Sequence, residues 1–381
     1  MKLGITMQPH EYNKRILVAV SGLSPQILTE TLYGLAVNSG APFIPTEIHL
    51  ITTLEGSDRA ALNLLHKDSG KFHALCKEYQ LPDIQFTEQN IHVIQDAQGN
   101  ELDDIRTPEQ NAAAADFITN TIKELTSDKN SAVHVSIAGG RKTIGYYLGY
   151  ALSLFGRTQD RLSHVLVSEG YEGHKDFYYP TLESRVIHTW DNRPLDTSKA
   201  EISLAEIPFI RMRQDIPEKL LQGKAGFLET ITLARKAELA PELIIDKKNK
   251  RLSASGEVFT LPDIQLTFYC WLLENTVAEH TTLEKPRANK PCEDYVEPFI
   301  EAYEKIAGKA KDTDKTVAAL SEGMKSGFFS DKINSINAAL IRNLGTRLAK
   351  PYLINKTKTR LTGEYFTELT EEQLSFSVIE Q

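Results

Sequence analysis

The sequence predicts an α/β protein: a mostly parallel sheet with helices on both faces, followed by a smaller α+β domain. Three observations predict it. The uninterrupted apolar run Ile16-Leu17-Val18-Ala19-Val20 is the mark of a strand buried on both faces, and further strand-like segments recur along the first half. Stretches of helical periodicity separate them, as βαβ units require. Past about residue 230 this gives way to short segments around polar turns. We place the boundary there, with domains over 1–230 and 231–381. A length of 381 residues accommodates two or three domains.

The first strand is bounded by Lys14-Arg15 and by Ser21-Gly22. Ser24-Pro25 then opens a helix running to about Val37. Serine caps a helix well, and proline suits the first helical position because its missing N–H would be unpaired there. Apolar residues at Ile27, Leu28, Leu32, Leu35 and Ala36 lie on one helical face. The alternation continues with a strand over 47–52, a helix over 59–79, a strand over 91–94 and a helix over 108–125. It then gives a strand over 132–137, a helix over 142–154 and a strand over 163–167. Residues 178–180 and 187–190 suggest a hairpin. Residues 202–210 read as a late strand, and Pro208 places it at an edge.

In the second part, 243–246 and 251–259 form a hairpin around Lys247-Lys248-Asn249-Lys250. A helix follows from Leu261 to Leu273. The polar stretch 280–323 is helical over 295–309, a last helix covers 330–349, and two short strands flank 357–362. Phe268, Tyr269 and Trp271 read as core residues.

With 41% hydrophobic and 25% charged residues, the composition excludes a disordered, collagen-like or disulfide-scaffold chain. The net charge of −8 gives no global basic field, so any nucleic-acid binding rests on a local patch. Cys76, Cys270 and Cys292 are far apart and show no zinc spacing. They fit a reducing cytoplasm, where we expect this protein to be soluble. No signal-peptide core follows the N-terminus. The longest uncharged apolar run, within 143–156, falls short of the roughly 18–20 residues that span a bilayer.

Ligands of such sheets bind beyond the carboxyl ends of the strands. There the sequence places Ser21-Gly22-Leu23-Ser24-Pro25-Gln26, Thr52-Thr53-Leu54-Glu55-Gly56, Asp104-Ile105-Arg106-Thr107-Pro108 and Ala138-Gly139-Gly140-Arg141-Lys142-Thr143. The last is the sharpest. Two glycines let the backbone approach a ligand, two cations follow, and a helix begins with its free N–H groups outward, which together make an anion site. Singly, Gly139-Gly140 also reads as a tight strand–helix turn, Ser24 as a plain cap and Arg106-Thr107 as a surface charge with a cap. Glu172 and His174, after the fifth strand, either line the same rim or sit in a solvated loop. Neither the phosphate loop GxxxxGK[ST] nor the dinucleotide fingerprint GxGxxG occurs in these loops.

In this order, VAVSGLSPQILTETLYGL (18–35), ITTLEG (51–56), DIRTPEQNAAAADFI (104–118), VSIAGGRKTIGYYL (135–148) and HVLVSEGYEGHKDFYYP (164–180) resemble the CRISPR-associated Rossmann-fold (CARF) family of cyclic oligoadenylate sensors. The similarity is greatest to its ring-nuclease branch. The resemblance implies a Rossmann-like domain and a homodimer whose twofold axis carries the ring of adenylates, with the tetra-adenylate as the expected ligand. It implies that Lys142 and a serine of the first loop are the functional pair: Ser24 by position, with Ser21 competing. Gly22, Gln26, Thr53, Arg106, Thr107, Gly139, Gly140, Arg141, Thr143, Glu172 and His174 would line the ligand. The implied cleavage needs no metal and no cofactor, and it switches off type III CRISPR antiviral signalling. The loops offer no clear general base, His174 being the weak candidate for proton transfer.

The order hairpin–helix, then helix–hairpin, in residues 243–366 resembles a winged helix-turn-helix. Between Lys325 and Arg360 stand eight basic residues (Lys325, Lys332, Arg342, Arg347, Lys350, Lys356, Lys358 and Arg360) against one acidic, Asp331. Such a patch suits DNA phosphates and equally a solvated helix face. The alternative expectation is therefore a transcriptional regulator gated by cyclic oligoadenylate, with DNA as its partner.

Overall fold

Five segments of the first half form the parallel strands of one sheet. The computed structural model describes residues 7–223, 226–308, 318–357 and 363–379. The first elements are β1 (Lys14–Val20), α1 (Gln26–Ala36), β2 (Glu47–Thr52), α2 (Leu54–Ala60), α3 (Lys71–Glu78) and β3 (Ile91–Val93). They continue with α4 (Pro108–Leu125), β4 (Ser131–Ser136), α5 (Lys142–Phe155) and β5 (Arg161–Val167). A small hairpin, β6 (Val186–His188) and β7 (Pro194–Asp196), precedes β8 (Ile202–Glu206). The sheet order is β3-β2-β1-β4-β5-β8. The first five strands are parallel, and β8 runs antiparallel at the edge beside β5. It stops at Glu206, before Pro208, which has no N–H to offer a ladder.

Strand alternation sends Leu17, Ala19, Ile48 and Leu50 into one core with α1 and α3. Ile16, Val18 and Val20, between them, are also buried, and α5 packs on β1 and β4 with α4 beside it. Both faces are covered, which is why β1 is apolar from Ile16 to Val20 rather than alternating.

Three expected elements differ. The helix expected over 59–79 is two helices, because the chain turns at His66, whose Nδ1 accepts from the Ser69 hydroxyl and the Asp68 amide. Residues 178–180 form no strand: Tyr178 and Tyr179 pack into the core, and the hairpin lies later, at β6–β7. Finally, α1 begins at Gln26 after Pro25 and has no side-chain cap, so Ser24 does not cap it.

The chain divides into two compact units. The first ends at Arg213 and takes back a segment closing at Glu229; the second comprises Gln214–Gly223 and the chain from Thr230. In the second, α6 (Glu218–Gln222) and α7 (Phe227–Lys236), which straddles the division, precede an antiparallel sheet. That sheet is β9 (Leu243–Asp246), β10 (Arg251–Ala254) and β11 (Glu257–Phe259). Next come α8 (Asp263–Leu273), β12 (Leu283–Glu284), α9 (Val296–Ala307) and the long helix Ser326–Ala349. The strands β13 (Asn355–Lys356) and β14 (Glu364–Phe366) follow, and β12-β14-β13 form a second small sheet. A last strand, β15 (Leu374–Ser375), pairs in parallel with β9. The apolar side of α8 makes the core: Phe268 meets Phe329 edge-on at 5.1 Å, and Trp271 meets Phe299 at 6.0 Å. Among the described residues no helix is long and apolar enough to cross a membrane.

Candidate functional site

Strand order reverses between β1 and β4, so the loops following those strands open onto one crevice. They touch: a Cβ on Gly22 would lie 3.7 Å from the Gly140 Cα. The glycine-rich loop must be glycine at both positions. A Cβ on Gly139 would come within 2.5 Å of the Val20 carbonyl oxygen and 2.9 Å of the Ile27 side chain, and Gly140 has φ +77°. This close approach aims the start of α5 into the crevice.

Two adjoining clefts result. The larger, about 780 Å³, is lined by Ile105, Arg106, Thr107, Pro108, Asn111 and Gly140 to Thr143. The smaller, about 370 Å³, is lined by Ser21, Gly22, Leu23, Ser24, Thr53, Glu55, Asp103, Asp104, Arg106, Gly140, Arg141 and Ile144. Of the expected site residues, Ser21, Ser24, Gly22 and Thr53 thus meet in the smaller cleft, and Thr107, Lys142 and Thr143 in the larger. Arg106, Gly140 and Arg141 border both. Gly139 sits behind, holding the turn.

Besides Gly139, three expected residues line neither cleft. Gln26 is buried in the first turn of α1. Glu172 is exposed on its loop. His174 has both ring nitrogens engaged: Nε2 donates to the His188 carbonyl at 2.9 Å and Nδ1 accepts from the Asp176 amide at 3.1 Å. That imidazole serves the β6 hairpin and has no free nitrogen for proton transfer.

The residue missing from the sequence reading is Asp104. It accepts from Arg141 through both oxygens and from Arg106 Nε at 2.9 Å. These guanidinium hydrogen bonds, Arg141 first and Arg106 second, hold its carboxyl well below the usual carboxylate range. The bridge Arg106–Asp104–Arg141 separates the clefts and consumes one full charge of the two arginines. Its signal was present in the sequence as an acid two residues before Arg106. Only the fold brings Arg141 to it.

Lys142 differs. It is exposed in the larger cleft and forms no ion pair among the described residues. It is also the first residue of α5, whose N-cap residue Arg141 offers no side-chain bond, so the first amides of the helix remain available to an anion. By contrast α4 is closed by its own capping box, the Gln110 amide donating to Thr107 Oγ1 at 3.3 Å and the Thr107 amide to Gln110 Oε1 at 3.1 Å. The free anion-binding capacity of the rim therefore lies at Lys142 and the first turn of α5.

The two serines also separate. Ser24 is exposed, with its hydroxyl accessible to a ligand. Ser21 is fully buried (0% exposed) and its Oγ has no partner among the described residues. Its backbone is engaged: the amide donates to the Ile51 carbonyl at 3.1 Å and its carbonyl accepts from Thr52 Oγ1 at 2.8 Å. A buried unpaired hydroxyl on the cleft wall costs free energy until something bonds it.

A family model described as CRISPR-associated protein NE0113 matches residues 24–235, more than half of the 381 residues. The matched span takes in Ser24, Arg106 and the glycine-rich loop. No curated protein matches the chain.

Proposed function

The chain belongs to the CRISPR-associated protein NE0113 family, and from that premise and the rim geometry we propose that it is a dimeric, metal-independent ring nuclease. Its substrate is a cyclic oligoadenylate, the tetra-adenylate foremost, bound where two copies bring their crevices together. Cleavage would switch off type III CRISPR antiviral signalling. The observation that carries the reading is the unpaired Lys142 on the open first turn of α5, in the cleft adjoining the one lined by Ser21 and Ser24.

The chemistry asks little of the protein. A ribose 2′-oxygen attacks the adjacent phosphorus, the phosphorus–5′-oxygen bond breaks, and the 2′ proton passes to solvent. The 5′-oxygen takes up a proton. The product is linear, with a 2′,3′-cyclic phosphate and a 5′-hydroxyl. Lys142 and the α5 amides stabilise charge on the phosphoryl oxygens, and Ser24 orients the ribose for in-line attack. Among the described residues no imidazole lines either cleft to serve as general base, so turnover is slow. Incubating labelled cyclic tetra-adenylate with the protein and excess chelator tests this: products ending in a cyclic phosphate support it, and an intact ring refutes it.

A second reading, a DNA-binding regulator gated by the same ligand, is favoured by the element order of the second unit. The succession α8, β12, α9, long helix, β13, β14, with sheet order β12-β14-β13, supports the winged-helix reading of this unit. Of its basic stretch, Lys325, Lys332 and Arg347 are ion-paired with Glu322, Asp331 and Glu238. Arg342, Lys350 and Lys356 are exposed and unpaired among the described residues, while Lys358 and Arg360 lie outside them. A gel shift at low salt, with and without cyclic tetra-adenylate, decides; no shift in either state removes this reading.

A further inference from the structure

We propose that Tyr146 is a base platform: its ring stacks one heterocyclic base of a nucleotide whose phosphate lies against Lys142 and the first turn of α5. The inference rests on the nucleotide reading above and adds to it the side chain that takes the base.

Tyr146 stands four residues after Lys142, one turn along the same face of α5. Helical side chains lean back toward the N-terminus, so its ring covers the surface over the Lys142 turn. It is 61% exposed, which is unusual for so large a ring with no task in the core. It is nevertheless held. It meets Tyr147 at 5.9 Å and 69° and Tyr150 at 5.8 Å and 37°, and both of those pack on Phe227, at 5.0 and 5.4 Å. The Tyr147 hydroxyl accepts from Asn111 Nδ2 at 2.6 Å, and Asn111 lines the larger cleft. The ring is thus positioned before any ligand arrives, which lowers the cost of ordering it on binding.

The spacing selects the ligand. Lys142 with its open amides and the Tyr146 ring stand one helical turn apart, about 5.4 Å of rise, so a cation and an aromatic face lie on one side of α5 within the reach of a single nucleotide. Independently of the helix terminus, the unpartnered Ser21 Oγ on the adjoining wall points to a polar ligand.

The test uses the full chain and two probes, cyclic tetra-adenylate and inorganic tripolyphosphate, the second carrying the charge without the base. Tyr146→Leu is expected to weaken cyclic tetra-adenylate about ten-fold, the scale of one lost stacking contact, and to leave tripolyphosphate unchanged. Tyr146→Phe should bind both like wild type. Adenine proton resonances should shift upfield on binding to wild type and not to Tyr146→Leu. If Tyr146→Leu binds cyclic tetra-adenylate as wild type does, the platform is wrong and the nucleotide reading stands. Equal weakening of both probes, or a change of oligomeric state without a change in binding, overturns it as well. If wild type binds tripolyphosphate no less tightly than cyclic tetra-adenylate, the base contributes nothing and the platform falls while the anion site remains. Binding of neither probe overturns both readings.

Discussion

Asp104 grips Arg141 in a two-pronged ion pair, Oδ1 to Nε at 2.8 Å and Oδ2 to Nη2 at 2.5 Å. The clamp ties the loop before α4 to the N-terminus of α5 and leaves one rim arginine's charge neutralised. Removing it should release positive charge where a phosphate would bind. Asp104→Asn is expected to tighten cyclic tetra-adenylate binding several-fold at low salt and to steepen its salt dependence. Because both side chains are partly solvated, at 29% and 51% exposure, unfolding should change by less than about 1 kcal/mol. Binding isotherms at two ionic strengths check this; weaker binding would mean that Asp104 orients the arginines rather than masking them.

Gly139 has no room for a methyl group between the Val20 carbonyl and Ile27. Gly139→Ala should destabilise the first unit by about 2 kcal/mol and displace the start of α5, costing ligand affinity as well. Denaturant unfolding and binding measured on the same variant check both effects.

Gly345 interrupts the long helix with φ +77°, and a Cβ there would meet the Asp215 carbonyl oxygen at 2.2 Å. Strain and overlap add, so Gly345→Ala should cost about 3 kcal/mol in the second unit. A chevron or equilibrium denaturation curve showing wild-type stability would contradict that.

Glu30, on α1, is 3% exposed and its Oε1 has no partner among the described residues. Burial, reinforced by the nearby Glu172 carboxylate, pushes its carboxyl up from 4.5 to about 8. Between those values the unfolded chain has released the proton and the folded chain keeps it. Stability therefore falls as pH rises through that window, by up to about 1.4 kcal/mol per pH unit. Glu30→Gln should flatten this slope, with its largest relative gain near pH 8. Melting temperatures from pH 5 to 8 for both proteins check it, and parallel curves would contradict it.

The parallel sheet was legible in the sequence because a strand buried on both faces is written as a continuous apolar run, as at 16–20, and strand-like segments alternate with helical periodicity after it. The tight turn between β4 and α5 was legible because Gly139-Gly140 allows a close backbone approach. What could not be read was which charges stay free. Arg141 and Lys142 are neighbours with the same formal charge, and only the fold brings Asp104 to one and not the other. The engagement of His174 was unreadable for the same reason: its nitrogens meet a strand carbonyl and a loop amide that only the fold brings to it. Tyr146 reads in sequence as one of three tyrosines in an apolar helix; its exposure follows from which face of α5 meets the sheet.

The most direct test of the central claim is single-turnover cleavage of labelled cyclic tetra-adenylate by wild type and by Lys142→Ala, both in excess chelator. The account predicts a linear product with a 2′,3′-cyclic phosphate from wild type. For the variant it predicts at least a 100-fold slower rate, with ligand still bound and the fold unchanged by circular dichroism. Equal rates in the two proteins would contradict the role assigned to Lys142, and an intact ring with wild type would contradict the nuclease itself.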